Sequence, residues 1–117
     1  MKTKISPHRL EGAFLGLALG DAYGRTLEFV SGEAVQQNVV LIDANTFMWS
    51  EETHISLYIA DAVVQMPQSK FDEDQFGHLV GTYLSTWLDD PLMPSTTPGN
   101  TTLAGVRNYK DIKDWKL

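Results

Sequence analysis

The chain of 117 residues contains no cysteine. This absence excludes disulfide bonds, thiolate metal sites and a thiol nucleophile, and it is compatible with a reducing cytosol. Long apolar runs are absent too. The most apolar stretch, residues 13 to 19, lies between Glu11 and Asp21, and it is much shorter than the roughly 20 residues that span a bilayer. We therefore expect a cytoplasmic protein without a membrane segment.

Basic residues are scarce over most of the chain. The net charge is -6, and between positions 10 and 106 the bases are Arg25 and Lys70 alone. A surface of this kind repels phosphate backbones, so we do not expect nucleic-acid binding. Carboxylates that converge would suit a divalent cation, whereas dispersed ones would form a solvated acidic surface.

The composition and the apolar pattern predict one all-α domain over residues 1–117. Hydrophobic residues make up 43% of the chain, enough for a core, and apolar positions recur at spacings of three and four. The β-branched run at residues 39–42 has no partner with alternating polarity, so we interpret it as a buried connector. The expected helices cover residues 7–23, a short segment at 33–37, residues 51–65, a segment from Asp72 to the Asp89-Asp90-Pro91 stop, and a last helix capped by Asn100.

Glycine recurs every four residues in the first predicted helix, at Gly12, Gly16, Gly20 and Gly24. Each glycine inside a helix costs about 1 kcal/mol relative to alanine, and close approach of a second helix is the usual gain, so tight packing is one explanation. The acidic residues that follow, such as Asp21, allow another, since carboxylates beside a glycine-bearing helix can line a cleft. A solvated helix end is equally compatible with them.

A second candidate is Ser50-Glu51-Glu52 at the start of the third helix. In a purely structural interpretation, Ser50 caps the helix and both carboxylates meet the positive end of its dipole. In a functional one, these oxygens bind a hard cation such as Mg²⁺. Adjacent side chains on a helix point in different directions, so one ion would need the looser geometry of the first turn, or two ions would share the site.

Other familiar motifs are missing. The three histidines, His8, His54 and His78, lack the spacing of zinc ligands, and we assign none of them a role. Neither a phosphate-binding G-x-x-x-x-G-K-[ST] loop nor a G-x-S-x-G nucleophile motif occurs.

The order of the remaining motifs resembles the ADP-ribosylglycohydrolase family. Residues 12–24 match its opening G-A-x-x-G-x-A-x-G-D-A-x-G helix, and Glu28 stands where that family has an acidic residue near its metals. Residues 49–53 match its W/Y-T-D-D-T motif, and residues 83–87 followed by 98–103 match its aromatic helix end and P-G-x-T-T turn. The resemblance runs through nearly the whole chain.

This resemblance implies a fold, an activity and a set of site residues. The fold would be an all-α, orthogonal multi-helix bundle, of which this chain is the N-terminal portion. The activity would be Mg²⁺-dependent hydrolysis, at a two-magnesium site, of the glycosidic bond between ADP-ribose and a protein side chain. Ser50, Glu51 and Glu52 would be metal ligands. Glu28 would be the catalytic residue, a mobile acidic side chain near the substrate that assists in positioning or proton transfer, and Asp21 would be a structural residue. An ADP-ribosylated protein or ADP-ribose would be the partner.

Two departures from the family pattern shape the expectation. Ser-Glu-Glu replaces Thr-Asp-Asp, which moves each carboxylate outward by one methylene, and Mg²⁺ demands near-octahedral geometry. The family's later G-N-G loop and D-x-D-T metal motif have no counterpart before Leu117. We therefore expect this half-site to bind magnesium weakly or not at all. The alternative function is a non-catalytic, truncated homologue that acts as a binding module, and an exposed core could drive self-association.

Overall fold

A computed structural model describes residues 6–37, 48–67 and 71–116. Over these ranges the chain forms α-helices and one short 3₁₀ turn, and no strand, so the predicted all-α class is confirmed. Residues 39–42, interpreted as a buried connector, lie outside the described ranges. The helices are α1 (Pro7–Arg25), α2 (Gly32–Gln37), α3 (Glu51–Gln65), α4 (Glu73–Trp87) and α5 (Asn100–Ile112), with the 3₁₀ turn at Met93–Thr96.

Local capping explains where two of these helices begin. Ser6 accepts the Arg9 N–H at 3.3 Å, and proline fills the first position of α1. At α4, Asp72 accepts the Gln75 N–H at 2.9 Å, as the capping pattern predicted. The predicted cap at Asn100 is wrong, because α5 begins at this residue and the preceding glycine occupies the cap position.

The chain divides into two compact units, Met1–Thr53 and His54–Leu117. That the two act as one domain stays a prediction. None of the helices in the described ranges has the length and apolar character needed to cross a bilayer.

In the first unit, α1 buries little. Ala22 is its buried residue, while Leu10, Leu15 and Leu19 are more than half exposed. Apart from the neighbouring residues and nearby backbone of α1 itself, no described atom lies within 4 Å of a Cβ added at Gly12, Gly16, Gly20 or Gly24. The tight helix packing proposed for this stripe is therefore not found in the described part of the chain.

In the second unit, α5 and the tail after it pack on a small-residue face of α4. The Tyr109 ring lies against Gly81 and the Trp115 ring against Gly77, where any larger residue would collide with them. The Tyr109 hydroxyl donates to the His78 carbonyl at 3.0 Å. Because aromatic rings sit directly on the helix backbone, the α4–α5 pair forms one part of the core of this unit.

A buried polar network joins α3 to the end of α4. Trp87 is fully buried, and its indole N–H donates to His54 Nδ1 at 3.1 Å. An indole nitrogen can only donate, so Nδ1 is the acceptor and Nε2 carries the proton towards Asp90 Oδ2, at 3.1 Å. Tyr58 donates to the same carboxylate oxygen at 2.7 Å. The sequence alone gave His54 no role, and the structure makes it part of the core.

This network shifts the ionisation of two of its members. The backbone N–H of Leu92, followed by the Tyr58 hydroxyl, holds the pKa of Asp90 below its ordinary value. Burial, together with the hydrogen bond to Asp90, raises the pKa of Tyr58 to about 12. The pair is therefore a neutral phenol donating to an ionised carboxylate at neutral pH.

Candidate functional site

Asp21, near the end of α1, binds the start of α3. Its carboxylate accepts the backbone N–H groups of Ser50 and Thr53 at 2.8 and 3.2 Å. It also accepts their hydroxyl protons, at 2.6 Å from Ser50 and 2.5 Å from Thr53. Thr53 is the third residue of α3, so Asp21 accepts the backbone N–H that the side chain of an N-cap at Ser50 would otherwise accept. The structural role expected for Asp21 is capping from a distant part of the sequence.

These contacts explain the ionisation of Asp21. Partial burial by itself raises the pKa of this carboxyl group, but the hydrogen bonds from Ser50 and then Thr53 outweigh burial and lower the pKa below its ordinary value. Ser50 and Thr53 are themselves buried, at 6% and 4% exposure. Asp21 is thus a fixed negative charge beneath the first turn of α3.

The Ser50 hydroxyl lies between two carboxylates. Its oxygen is 2.6 Å from Asp21 Oδ1 and is also in contact with Glu52 Oε2. A hydroxyl group carries one proton and two lone pairs. It can therefore donate to only one of the two carboxylates at a time.

A cleft of about 530 Å³ opens beside these groups. It contains three of the four predicted site residues, Glu28, Ser50 and Glu52, but Glu51 is not among the described residues that line it. Asp21 lies in the wall, so the cleft interpretation of the acids after the glycine helix agrees with the geometry. The α1 side of the wall is formed by Gly16, Gly20 and Gly24.

The row of glycines along α1 therefore borders the cleft, whereas a second helix had been proposed as its neighbour. Three of its members face the cleft rather than a second helix. Without a Cβ, the helix backbone itself forms the wall, and a molecule in the cleft can approach it closely.

Arg25 is a cleft residue that the sequence reasoning missed. Its guanidinium donates to the carbonyl of Trp49 at 3.1 Å, which ties the residue before Ser50 to the last turn of α1. Its isolation among acidic residues was the available signal. Among the described residues that line the cleft, Arg25 is accompanied by the carboxylates of Asp21, Glu28 and Glu52.

Glu28 lies in the turn that follows α1. The next residue, Phe29, has a left-handed backbone (φ 63°) and is 98% exposed. A bulky residue in this conformation is uncommon and costs of order 1–3 kcal/mol. The turn is closed by hydrogen bonds from the Glu28 N–H to the Arg25 carbonyl and from the Val30 N–H to the Leu27 carbonyl. Glu28 is thus an exposed residue on a hydrogen-bonded turn, and it lines the cleft.

The carboxylate and hydroxyl side chains that line the cleft carry hard oxygen atoms. Within residues 6–37, 48–67 and 71–116, no three His, Cys, Asp or Glu side chains converge tightly enough to hold a metal ion by themselves. Mg²⁺ usually keeps several waters and binds through one or two carboxylates. Ser50 and Glu52 carry a hydroxyl and a carboxylate, which are donor types that Mg²⁺ accepts.

Comparison with known proteins agrees with the motif order. The family model for ADP-ribosylglycohydrolase matches residues 2–116. The chain belongs to the ADP-ribosylglycohydrolase family. The resemblance drawn from the motifs is therefore confirmed.

Within this family, the chain is 39% identical over 69 residues to the ADP-ribosylarginine hydrolase Tri1 of Pseudomonas putida (strain GB-1). The aligned stretch covers 55% of this chain and 18% of that relative, so the chain corresponds to a minor part of the relative's length. No solved structure matches the chain significantly.

Proposed function

We propose that this chain contributes the N-terminal half of a magnesium-dependent ADP-ribosylglycohydrolase site. The observation that carries the proposal is the shared cleft, which Glu28, Ser50 and Glu52 all line in a chain of this family. The substrate would be a protein carrying ADP-ribose, and the N-glycosidic bond to arginine is favoured by the similarity to an ADP-ribosylarginine hydrolase. A cytoplasmic location and self-association stay predictions.

Each of the cleft residues would have a separate role. Ser50 and Glu52 would hold the metal through a hydroxyl and a carboxylate oxygen, and Glu51 stays a predicted ligand. Bound Mg²⁺ would supply Lewis-acid polarisation of the ribose and a more acidic water. Glu28, at the rim, would accept or return a proton at the glycosidic bond. The glycine wall of α1 would let the planar or phosphate parts of ADP-ribose lie against the backbone.

A second function, binding without turnover, is favoured by two observations. The described residues contain no group of three metal-binding side chains, and the longer arms of Glu51 and Glu52 replace the aspartates of the family motif. Such a chain could bind ADP-ribose in the cleft and yet fail to hold magnesium well enough for hydrolysis.

Calorimetry and a turnover assay separate the two functions. Mg²⁺ is titrated first, then ADP-ribose with and without Mg²⁺, and release of ADP-ribose is followed on arginine- and serine-modified peptides. Magnesium-dependent release from the arginine peptide supports the hydrolase. Binding of ADP-ribose without release supports the binding module, and absence of both refutes the proposed function.

A matched pair of variants tests the ligand assignment. Glu52→Gln should weaken Mg²⁺ binding at least about tenfold, because a neutral amide replaces a charged ligand. Glu11→Gln makes the same change of charge on the exposed first half of α1, where Glu11 Oε2 lies 3.3 Å from His8 Nδ1. It should leave Mg²⁺ affinity unchanged. Equal effects of the two variants would mean that only overall charge is being measured.

A further inference from the structure

Arg25 lines the cleft together with carboxylates but forms an ion pair with none of them. Asp21, Glu28 and Glu52 line the same cleft, yet none of the ion pairs within the described part of the chain involves Arg25. The side chain is held instead by the Trp49 carbonyl, which accepts a hydrogen bond from Nη1 at 3.1 Å. Because Arg25 is also half-buried, its guanidinium is fixed in the wall of the cleft without being neutralised there.

A guanidinium held in this way can still bind an anion. It carries five N–H donors in a planar fork, and the bond to Trp49 uses a donor of Nη1 only. Among the described residues, Arg25 has no second acceptor. The paired N–H groups of an arginine match the oxygen atoms of a phosphate, and such charge-assisted hydrogen bonds are roughly twice as strong as neutral ones. The remaining donors therefore favour a ligand that carries phosphate.

The acidic residues of the cleft make this counter-charge necessary for an anionic ligand. Without Arg25, the charged side chains among the described residues that line the cleft would all be carboxylates. Like charges at close range repel each other, and the repulsion is stronger in a partly buried site than in water. A phosphate can therefore enter this cleft only beside Arg25.

The size and the wall of the cleft fit a nucleotide. Its volume of about 530 Å³ lies within the roughly 300–1,000 Å³ that is typical of small-molecule sites. Gly16, Gly20 and Gly24 line its α1 side, and they leave that side free of side chains up to Arg25, the last residue of the helix. A ligand lying along the glycines would thus meet the guanidinium at the end of α1.

We infer that Arg25 binds the diphosphate of ADP-ribose and thereby selects phosphorylated over unphosphorylated adenosine ligands. The identity of the ligand rests on the proposed function, whereas the preference for phosphate follows from the unneutralised guanidinium. Arg25 is a specificity-determining residue in this account and takes no part in breaking the glycosidic bond.

Calorimetry with two ligands that differ in their phosphates tests this role. ADP-ribose and adenosine are titrated separately into the wild type and Arg25→Gln, in the presence of EDTA so that no metal contributes. Arg25→Gln should weaken ADP-ribose binding about 10- to 100-fold, because it removes charge-assisted hydrogen bonds and leaves the carboxylates unopposed. Adenosine affinity should change by less than about twofold, because adenosine carries no phosphate.

Two further variants and the salt dependence serve as controls. Arg9→Gln makes the same change of charge on the exposed first turn of α1, away from the described lining of the cleft, and should leave ADP-ribose affinity unchanged. Arg25→Lys keeps the charge but loses the planar fork, so its affinity should lie between those of the wild type and Arg25→Gln. Raising the ionic strength from about 0.05 to 0.5 M should weaken ADP-ribose binding more in the wild type than in Arg25→Gln.

Several outcomes would overturn the inference. If Arg25→Gln binds ADP-ribose as the wild type does, the diphosphate lies elsewhere. If it loses ADP-ribose and adenosine equally, Arg25 only supports the cleft through Trp49, and if Arg9→Gln has the same effect, overall charge is being measured.

The turnover assay separates this inference from the proposed function. Binding of ADP-ribose that depends on Arg25, without release of ADP-ribose from modified peptides, supports the inference and contradicts the hydrolase. Magnesium-dependent release that is unaffected by Arg25→Gln supports the hydrolase and contradicts the inference. A wild type that binds no ADP-ribose, with or without Mg²⁺, contradicts both.

Discussion

The contact between Tyr109 and Gly81 allows a sharp test of the core of the second unit. A methyl group added at Gly81 would lie 2.5 Å from Tyr109 Cε2, whereas carbon atoms in contact are about 3.5–4.0 Å apart. The ring would have to withdraw by roughly 1 Å. Withdrawal is opposed because Tyr109 is 8% exposed and its hydroxyl is held by the His78 carbonyl at 3.0 Å.

Two opposing terms decide the sign of the Gly81→Ala effect. Alanine is favoured over glycine inside a helix by about 0.8–1.0 kcal/mol. Overpacking a well-filled site typically costs about 1–3 kcal/mol. We therefore expect Gly81→Ala to lower the free energy of unfolding by about 1 kcal/mol net.

Gly105→Ala is the matched control in the partner helix. Gly105 is exposed within α5, and apart from its neighbouring residues and the nearby backbone of α5 itself no described atom lies within 4 Å of the methyl group it would gain. With no packing term, this variant should raise the free energy of unfolding by up to about 1 kcal/mol. Urea denaturation followed by far-UV circular dichroism measures both.

The refuting result is equal stabilisation by the two substitutions. It would mean that Tyr109 does not lie on α4. Gly77→Ala, whose methyl group would meet the Trp115 ring, then shows how far the error extends. If this variant is destabilising, only the Tyr109 contact is wrong, and if it is stabilising, the packing of the whole tail is wrong.

Three further predictions follow from the network at the end of α4 and from the turn after α1. The pKa of Asp90 is lowered by the Leu92 N–H and then by Tyr58. The ionised Asp90 therefore stabilises the fold fully above the pKa of an unfolded aspartate, and this stabilisation is lost as the pH falls through the lower pKa of the folded state. In acid denaturation, Tyr58→Phe should lose less stability over that pH range than the wild type. Trp87→Phe should cost about 2–4 kcal/mol in urea unfolding, because it leaves a cavity and a buried imidazole nitrogen without its donor, and a cost below about 1 kcal/mol would contradict the network. Phe29→Gly should raise the thermal midpoint slightly, since relief of about 1–2 kcal/mol of left-handed strain exceeds the 0.5–1 kcal/mol cost of a flexible glycine, while Phe29→Ala should give no gain.

Local signals predicted the helices well. Serine followed by proline at α1 and the Asp72 cap at α4 act within a few residues of the boundaries they set, so a single sequence reveals them. The predicted cap at Asn100 was wrong because the residue before it, a glycine, can also occupy the N-cap position, and here it does. The family motif order then supplied the fold class that local patterns alone do not define.

Contacts between distant residues were beyond the sequence pattern. Asp21 and Ser50 are 29 positions apart, so nothing local indicated that an aspartate in one helix would take the hydrogen bonds at the start of another. His54 had no ligand-like spacing, and only the fold brings Trp87 and Asp90 to its two ring nitrogens. Adjacent glutamates at positions 51 and 52 were equivalent in the sequence, and it is the rotation of the helix that brings the second into the cleft.

The bond between Asp21 and the start of α3 has a consequence for how this half-site can vary. Asp21 and Ser50 are 29 positions apart, and the entropy lost when two points of a chain are joined grows only with the logarithm of the number of residues between them. Doubling that number costs roughly 0.6 kcal/mol, less than a single charged hydrogen bond contributes. Insertions between the two motifs should therefore be tolerated far better than a one-atom change at Asp21.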